Sequence, residues 1–250
     1  MSSPRISILT PSFNQGEYIE QTIQSVLNQD VEEIEHIVID GGSTDNTISI
    51  LKKYPHIKWV SEQDKGQSDA LNKGLKMATG DIIGWINSDD YYRINILKEV
   101  VSLFRSPETN WIIGNSYEYY TEYDKFRAVN SKEISYELLL KDSERQNQPP
   151  TFFRKHILEK VGGFNNSFDY VMDYDLWIRL SRLSKPKMVD TFYAVFRRHP
   201  AQKTNKNNMI GFINEIKRIL KREKVPWLKR EKILFFRKKG LIKYYIKHLL

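Results

Sequence analysis

Apolar runs of strand length alternate with helix-like stretches through the first ninety residues, and that alternation confines the chain to few architectures. Arg5 to Thr10, Glu35 to Asp40, Ile57 to Glu62 and Asp81 to Asn87 read as strands. Between them, Tyr18 to Gln29 reads as a helix with Ile19, Ile23, Val26 and Leu27 on one side. Ile48 to Tyr54, which follows the capping cluster Ser43-Thr-Asp-Asn-Thr, and Ser68 to Ala78 read as helices too. Strands separated by single helices pair in parallel through right-handed crossovers. The expectation is an α/β fold with a mostly parallel, Rossmann-like sheet flanked by helices.

The strand ends carry the polar residues. Thr10, Asp40, Glu62 and the cluster Ser88-Asp89-Asp90 lie at or just past the carboxyl ends of their runs. A parallel sheet gathers such ends along one edge, where open α/β sheets bind ligands. Polar residues also end strands for purely structural reasons, so the coincidence of four, rather than any one, points to a site. Asp89 and Asp90 offer hard oxygen ligands of the kind that hold magnesium or manganese together with a substrate's phosphates. The alternative for that pair is a cap on the next helix.

The second half is less regular. Trp111 to Tyr120 reads as a strand, and Gln148-Pro149-Pro150-Thr151 as an extended segment that cannot be helical. Asp173 to Leu183 reads as a helix with Leu176, Trp177 and Leu180 inward, and Met188 to Arg197 as a last strand. A polar junction falls near Gln202 to Asn208. With 250 residues and 40% hydrophobic content, the chain can bury one substantial core and a small appendage. It has no cysteine, which excludes disulfides and thiolate metal sites. The N-terminus enters a strand with no apolar signal region, and no apolar stretch is long enough to span a bilayer, so a cytoplasmic protein is expected.

Taken in order, Thr10-Pro-Ser-Phe-Asn, Ile39-Asp-Gly-Gly-Ser-Thr-Asp, Glu62-Gln-Asp-Lys-Gly, Asn72-Lys-Gly, Ala78-Thr-Gly-Asp and Asn87-Ser-Asp-Asp resemble the nucleotide-binding half of family 2 glycosyltransferases of GT-A fold. With later acceptor-side motifs the resemblance covers about residues 5 to 204. It implies an inverting transferase that takes a sugar from a nucleotide-diphosphate sugar, a UDP-sugar above all, with Mn2+ or Mg2+. Thr10, Pro11 and Ser12 would border the nucleoside, and Asp40 would hold base or ribose. Many members carry a second acid where this chain has Gly41, and Glu62, Asp64 and Asp69 are candidates for the missing hydrogen bonds, with Asn72 and Ser88 beside them. Asp89 and Asp90 match the metal-binding acidic motif, with Ser88 in place of its first acid. Asp90 is expected on the metal, and Asp89 on ribose or metal. His199, in Arg197-Arg198-His199, is a further candidate ligand where the chain closes over the diphosphate.

Tyr170-Val-Met-Asp-Tyr-Asp-Leu-Trp resembles the family's acceptor-side helix, and its motif acid aligns with Asp173. That implies Asp173 as the base that deprotonates the acceptor hydroxyl, although a helix cap is the structural alternative. Met172 stands where members often carry Glu, and Asp175 lies about 200° around a helix from Asp173 and faces elsewhere. Gln148, Pro149 and Thr151 resemble an acceptor-pocket segment. Trp177 is placed with them, although core burial is the commoner fate of such aromatics.

Basic charge is concentrated at the end of the chain. Residues 211–250 hold 13 Lys and Arg against 3 Asp and Glu, so in a chain of net charge +8 residues 1–210 sum to −2. Short helices broken at Pro226 and Gly240, each with a basic and an apolar face, would suit an anionic membrane surface; the same apolar faces can instead pack on the body. The division expected is 1–206 as catalytic domain, with 1–95 the donor half and 96–206 the acceptor half, and 207–250 as a helical tail. The acceptor expected is a glycan or lipid-linked glycan hydroxyl in cell-surface polysaccharide assembly at the inner face of the membrane. The rival readings are a sugar nucleotidyltransferase, and a non-catalytic adaptor for RNA or membrane; no recognised nucleic-acid module is present.

Overall fold

The computed structural model describes residues 4–141, 148–203 and 208–247, with side chains as far as 237. Four parallel strands form its first half: β1 (Ile6–Ser12), β2 (Ile34–Asp40), β3 (Lys58–Ser61) and β4 (Ile82–Trp85). They lie in the order β3-β2-β1-β4. Every residue of β1 is buried, as expected of a parallel strand covered on both faces. α1 (Ile19–Leu27) and α2 (Thr47–Leu51) cover one side, where Ile19, Ile23 and Ile50 pack with Val38. α3 (Gln67–Met77) covers the other with Ala70, Leu71 and Leu75. Gly74 brings α3 close to the sheet: a Cβ there would lie 2.5 Å from Ile39 Cδ1.

Beyond β4 the sheet turns mixed. β8 (Thr151–Arg154) runs antiparallel to β4 and to β6 (Trp111–Tyr120), β7 (Lys125–Val129) runs antiparallel to β6, and β5 (Tyr91–Tyr92) antiparallel to β9 (Lys187–Arg198). Only β6 and β9 add a parallel pair. The expected parallel sheet therefore holds for the first ninety residues, and half of all the pairings are antiparallel. Because β8 opposes β4, the start of β8 arrives beside the end of β4. One nine-stranded sheet passes through both expected halves of the body.

α4 (Leu97–Leu103) packs on the α1 side of this second half through Leu97, Val100 and Val101. α5 (Tyr136–Lys141), α6 (Lys155–Lys160) and α7 (Met172–Ser181) lie on the α3 side. The C-terminal segment forms α8 (Met209–Arg222) and α9 (Trp227–Lys247). α9 starts after Pro226 as expected, but it runs on through Gly240; one glycine costs a helix only about 1 kcal/mol. Ile213, Ile216, Ile219 and Leu220 of α8, and Ile233 and Leu234 of α9, are buried in the same apolar cluster as Leu9 and Trp177. The expected division at 206/207 falls outside the described residues, and so do the side chains of the apolar and basic faces expected beyond Gly240. None of the described helices is long and apolar enough to cross a membrane.

Candidate active site

The carboxyl ends of β1, β2, β3 and β4 meet along one edge, and the loops there are tied by their own polar groups. Asp40, fully buried, accepts the Gly42 N–H at 3.1 Å, the Ser43 N–H at 2.8 Å and the Ser61 hydroxyl at 2.7 Å, and it also takes the Ser43 hydroxyl. Both its oxygens hold the turn that follows β2. Thr10 is buried inside the sheet and shares a 2.9 Å hydrogen bond with His36 Nε2. Ser12 is buried with its hydroxyl unpartnered, next to Pro11 and beneath the Gly41 N–H. A Cβ on Gly41 would lie 2.8 Å from Asp64 Oδ2. The Asp64 carboxylate thus stands in the space that a side chain at position 41 would need.

Asp64 also accepts the Gly66 N–H at 2.8 Å, in the turn that starts α3 with Gly66 at φ +103°. Lys73 lies between Glu62, at 2.7 Å, and Asp69, at 3.7 Å. Asn72 is drawn elsewhere. Its amide donates to the Phe164 carbonyl at 2.8 Å and accepts the Phe164 N–H at 2.9 Å, a clamp between α3 and the approach to α7.

After β4 the chain turns, with the Asp90 N–H donating to the Asn87 carbonyl, and the turn separates the two acids. Asp90 points inward, 0% exposed, and accepts the Arg197 N–H at 2.8 Å and the Asn87 amide at 3.3 Å. Burial, with the neighbouring Asp89 charge added, pushes its carboxyl well above the usual range, and the Arg197 N–H and charge only partly offset this. Asp89 points outward, and its Oδ2 lies 3.1 Å from His199 Nε2. The His199 ring packs 4.5 Å from that of Tyr18, and the Arg197 guanidinium lies over Tyr18 at 4.7 Å and Tyr91 at 5.3 Å. Ser88 is buried, with its carbonyl and that of Asp90 both accepting the Thr22 hydroxyl.

The two acids therefore differ in access. Asp89 holds the open position with His199, and Asp90 supports the turn from behind. Among the described residues no three His, Asp or Glu side chains cluster closely enough to hold an ion by themselves. An imidazole and a carboxylate converging on one point do fit an ion whose remaining ligands are diphosphate and water oxygens.

Asp173 sits in the first turn of α7 and accepts the N–H of Tyr174 at 2.7 Å. The residue flanking this helix is Val171, so Asp173 is not the cap itself. The start of α7 is linked to the acidic turn through α3: the Ser68 hydroxyl donates to Met172 Sδ at 3.4 Å, and the Gln67 amide to Asn87 Oδ1 at 2.6 Å. Asp175 faces away as expected, buried against Arg179 at 2.7 Å and against Arg222 of α8. Gln148 donates to the Trp85 carbonyl at 2.6 Å, which joins the start of β8 to the end of β4 beside the buried Pro149 and Thr151. Trp177 is 2% exposed within the core, on the inward side of α7 with Leu180 and Leu176. Tyr18 and Gln67 were missed, because a tyrosine and a glutamine at helix starts carry no chemical signature until the fold brings His199 and Asn87 to them.

Residues 7–165 match the family described as Glycosyl transferase family 2. An uncharacterized glycosyltransferase of Rickettsia typhi is 27% identical over 97% of this chain and 83% of its own length. The chondroitin synthase of Escherichia coli is 26% identical over 75% of this chain, which spans only 28% of that protein. Among solved structures, S. aureus TarS 1–349 in complex with UDP-GlcNAc superposes with a TM-score of 0.71 at 18% identity, covering 92% of this chain and 70% of that one. The mannosyltransferase PcManGT from Pyrobaculum calidifontis, in complex with GDP-Man and Mn2+, gives 0.66 at 18% identity over 94% and 69%. The sheet and its flanking helices are those of the GT-A fold, and the chain belongs to glycosyl transferase family 2.

Proposed function

We propose that this glycosyltransferase moves a sugar, with inversion, from a nucleotide-diphosphate sugar to a hydroxyl of a glycan or lipid-linked glycan. The carrying observation is the convergence of Asp89 and His199 at 3.1 Å at the ligand edge, with the first turn of α7 tied to the same turn through Gln67 and Ser68. Asp89 and His199 would hold Mn2+ or Mg2+, which when bound neutralises charge on the leaving diphosphate. Asp173 takes the proton of the acceptor hydroxyl as it attacks. A UDP-sugar is the donor we favour, with Asp64 facing the base from the space over Gly41. The relatives solved with UDP-GlcNAc and with GDP-Man make those two donors the first to try.

We also propose that α9 rests on an anionic membrane. Leu228 and Phe235 lie on the side of the helix opposite the buried Ile233 and Leu234, with Phe236 and Lys232 beside them, and all three apolar side chains are more than half exposed. A cytoplasmic site at the inner membrane face, in polysaccharide assembly, follows from this reading.

The test is a melting-temperature series with UDP-GlcNAc and GDP-mannose, each with and without manganese. A donor at 100 times its dissociation constant stabilises the native state by about 2.7 kcal/mol. The shift should need manganese and be lost in Asp89→Ala. Asp173→Asn should keep the shift and lose transfer by about 100-fold or more; wild-type turnover by that variant would remove Asp173 from the mechanism.

A further inference from the structure

Four residues of α8, Gly211, Glu215, Arg218 and Arg222, follow one another at spacings of four, three and four. At 100° per residue they fall on a single narrow stripe, beside the apolar stripe that docks the helix. All four address the same target. Gly211 lies against the Tyr170 ring, where a Cβ would come within 2.6 Å. Glu215 accepts three consecutive backbone N–H groups, from Asp169 at 2.9 Å, Tyr170 at 2.8 Å and Val171 at 3.2 Å. Arg218 donates to the Ser167 carbonyl at 3.1 Å and covers the Phe168 ring at 5.0 Å. Arg222 reaches the buried Asp175 one turn into α7.

Successive N–H groups that converge on one point make a concave anion site, and here the chain fills it with its own carboxylate. α7 has no side-chain cap of its own. Its entry geometry is set from α8, and Asp173 is two residues past the last N–H that Glu215 holds. We infer that Glu215 is a positioning residue for the transfer step, holding the entry to α7 so that Asp173 meets the acceptor hydroxyl. This rests on the reading of Asp173 as the base.

A carboxylate that only adds stability would affect melting and not turnover, so the experiment separates the two. Glu215→Ala, Glu215→Gln and Leu220→Ala are compared in nucleoside-diphosphate release from UDP-GlcNAc with manganese, well below each melting temperature, with Asp173→Asn alongside. Leu220→Ala loosens the apolar docking of α8 and leaves the Glu215 contacts in place. The expected result is a kcat lowered at least tenfold in Glu215→Ala with KM for the donor within twofold. Glu215→Gln, which keeps one accepting oxygen, should recover much of that loss, and Leu220→Ala should stay within threefold of wild type. Amide exchange at residues 169–171 should quicken in Glu215→Ala. A Glu215→Ala kcat no lower than that of Leu220→Ala would overturn the inference while an inactive Asp173→Asn left the base in place. An active Asp173→Asn would instead remove the reading beneath it.

Discussion

At the scale of single residues, the turn after β4 shows how two like side chains in sequence acquire different chemistry. Asp89 keeps solvent on one side and an imidazole on the other, while Asp90 is wholly enclosed and held by the Arg197 N–H. The acidic pair was legible in the sequence, but the different burial of its two members was not, because successive residues separate according to the turn and the turn depends on Asn87, Thr22 and β9. A second buried group sets a pH dependence. Burial holds the His36 imidazole down from 6.5 to about 3, with the His56 charge adding to the effect. Above pH 6.5 it is neutral in both folded and unfolded chains; below that, the unfolded chain takes up a proton that the native state refuses. Stability therefore falls as pH drops, by ~1.5 kcal/mol between pH 6.5 and 5, and His36→Gln should flatten that slope in urea unfolding. Parallel slopes for the two proteins would refute the assignment. The window stops at pH 5 because Glu35 enters below it. Burial pushes Glu35 up, but Lys58, Ser7 and Thr79 more than reverse this and leave it at about 2, so its own contribution is lost between 4.5 and about 2.

At the scale of elements, legibility followed the strength of the apolar period. β6 matches its expected range of Trp111 to Tyr120, because ten mostly buried residues carry an unmistakable strand signal. β7 is almost entirely exposed and β5 only two residues long, so neither carries a pattern to read; both exist because a neighbouring strand offers its edge. Asn72 shows the same limit for side chains: its clamp on Phe164 joins residues 92 apart, and nothing local announces it. Both C-terminal helices pack on the body, and α9 in addition exposes Leu228, Phe235 and Phe236. Replacing Leu228, Phe235 and Phe236 together with Ser should lower binding to phosphatidylglycerol vesicles at least fivefold in a flotation assay, with melting within a few degrees of wild type. Undiminished flotation would leave α9 without a lipid role.

At the scale of the whole molecule, the C-terminal helices belong to the core. Six aliphatic side chains of α8 and α9 are buried, Ile213, Ile216, Ile219, Leu220, Ile233 and Leu234. At about 1.5–3 kcal/mol for each fully buried side chain, their loss would match or exceed the roughly 5–15 kcal/mol that holds a typical domain together. A chain ending at 206 should therefore show no cooperative melting transition, as followed by circular dichroism; a sharp transition near the wild-type temperature would show that the body folds without them. The continuous sheet has a separate consequence for motion. The strand that ends in Asp40, the strand that precedes Asp89 and the strands that lead from Gln148 and to His199 are hydrogen-bonded into one surface, so the sheet carries no hinge between its two halves. In the transfer we propose, admitting a donor and releasing its diphosphate would therefore fall to the loops at the sheet's edge rather than to one half of the sheet turning against the other.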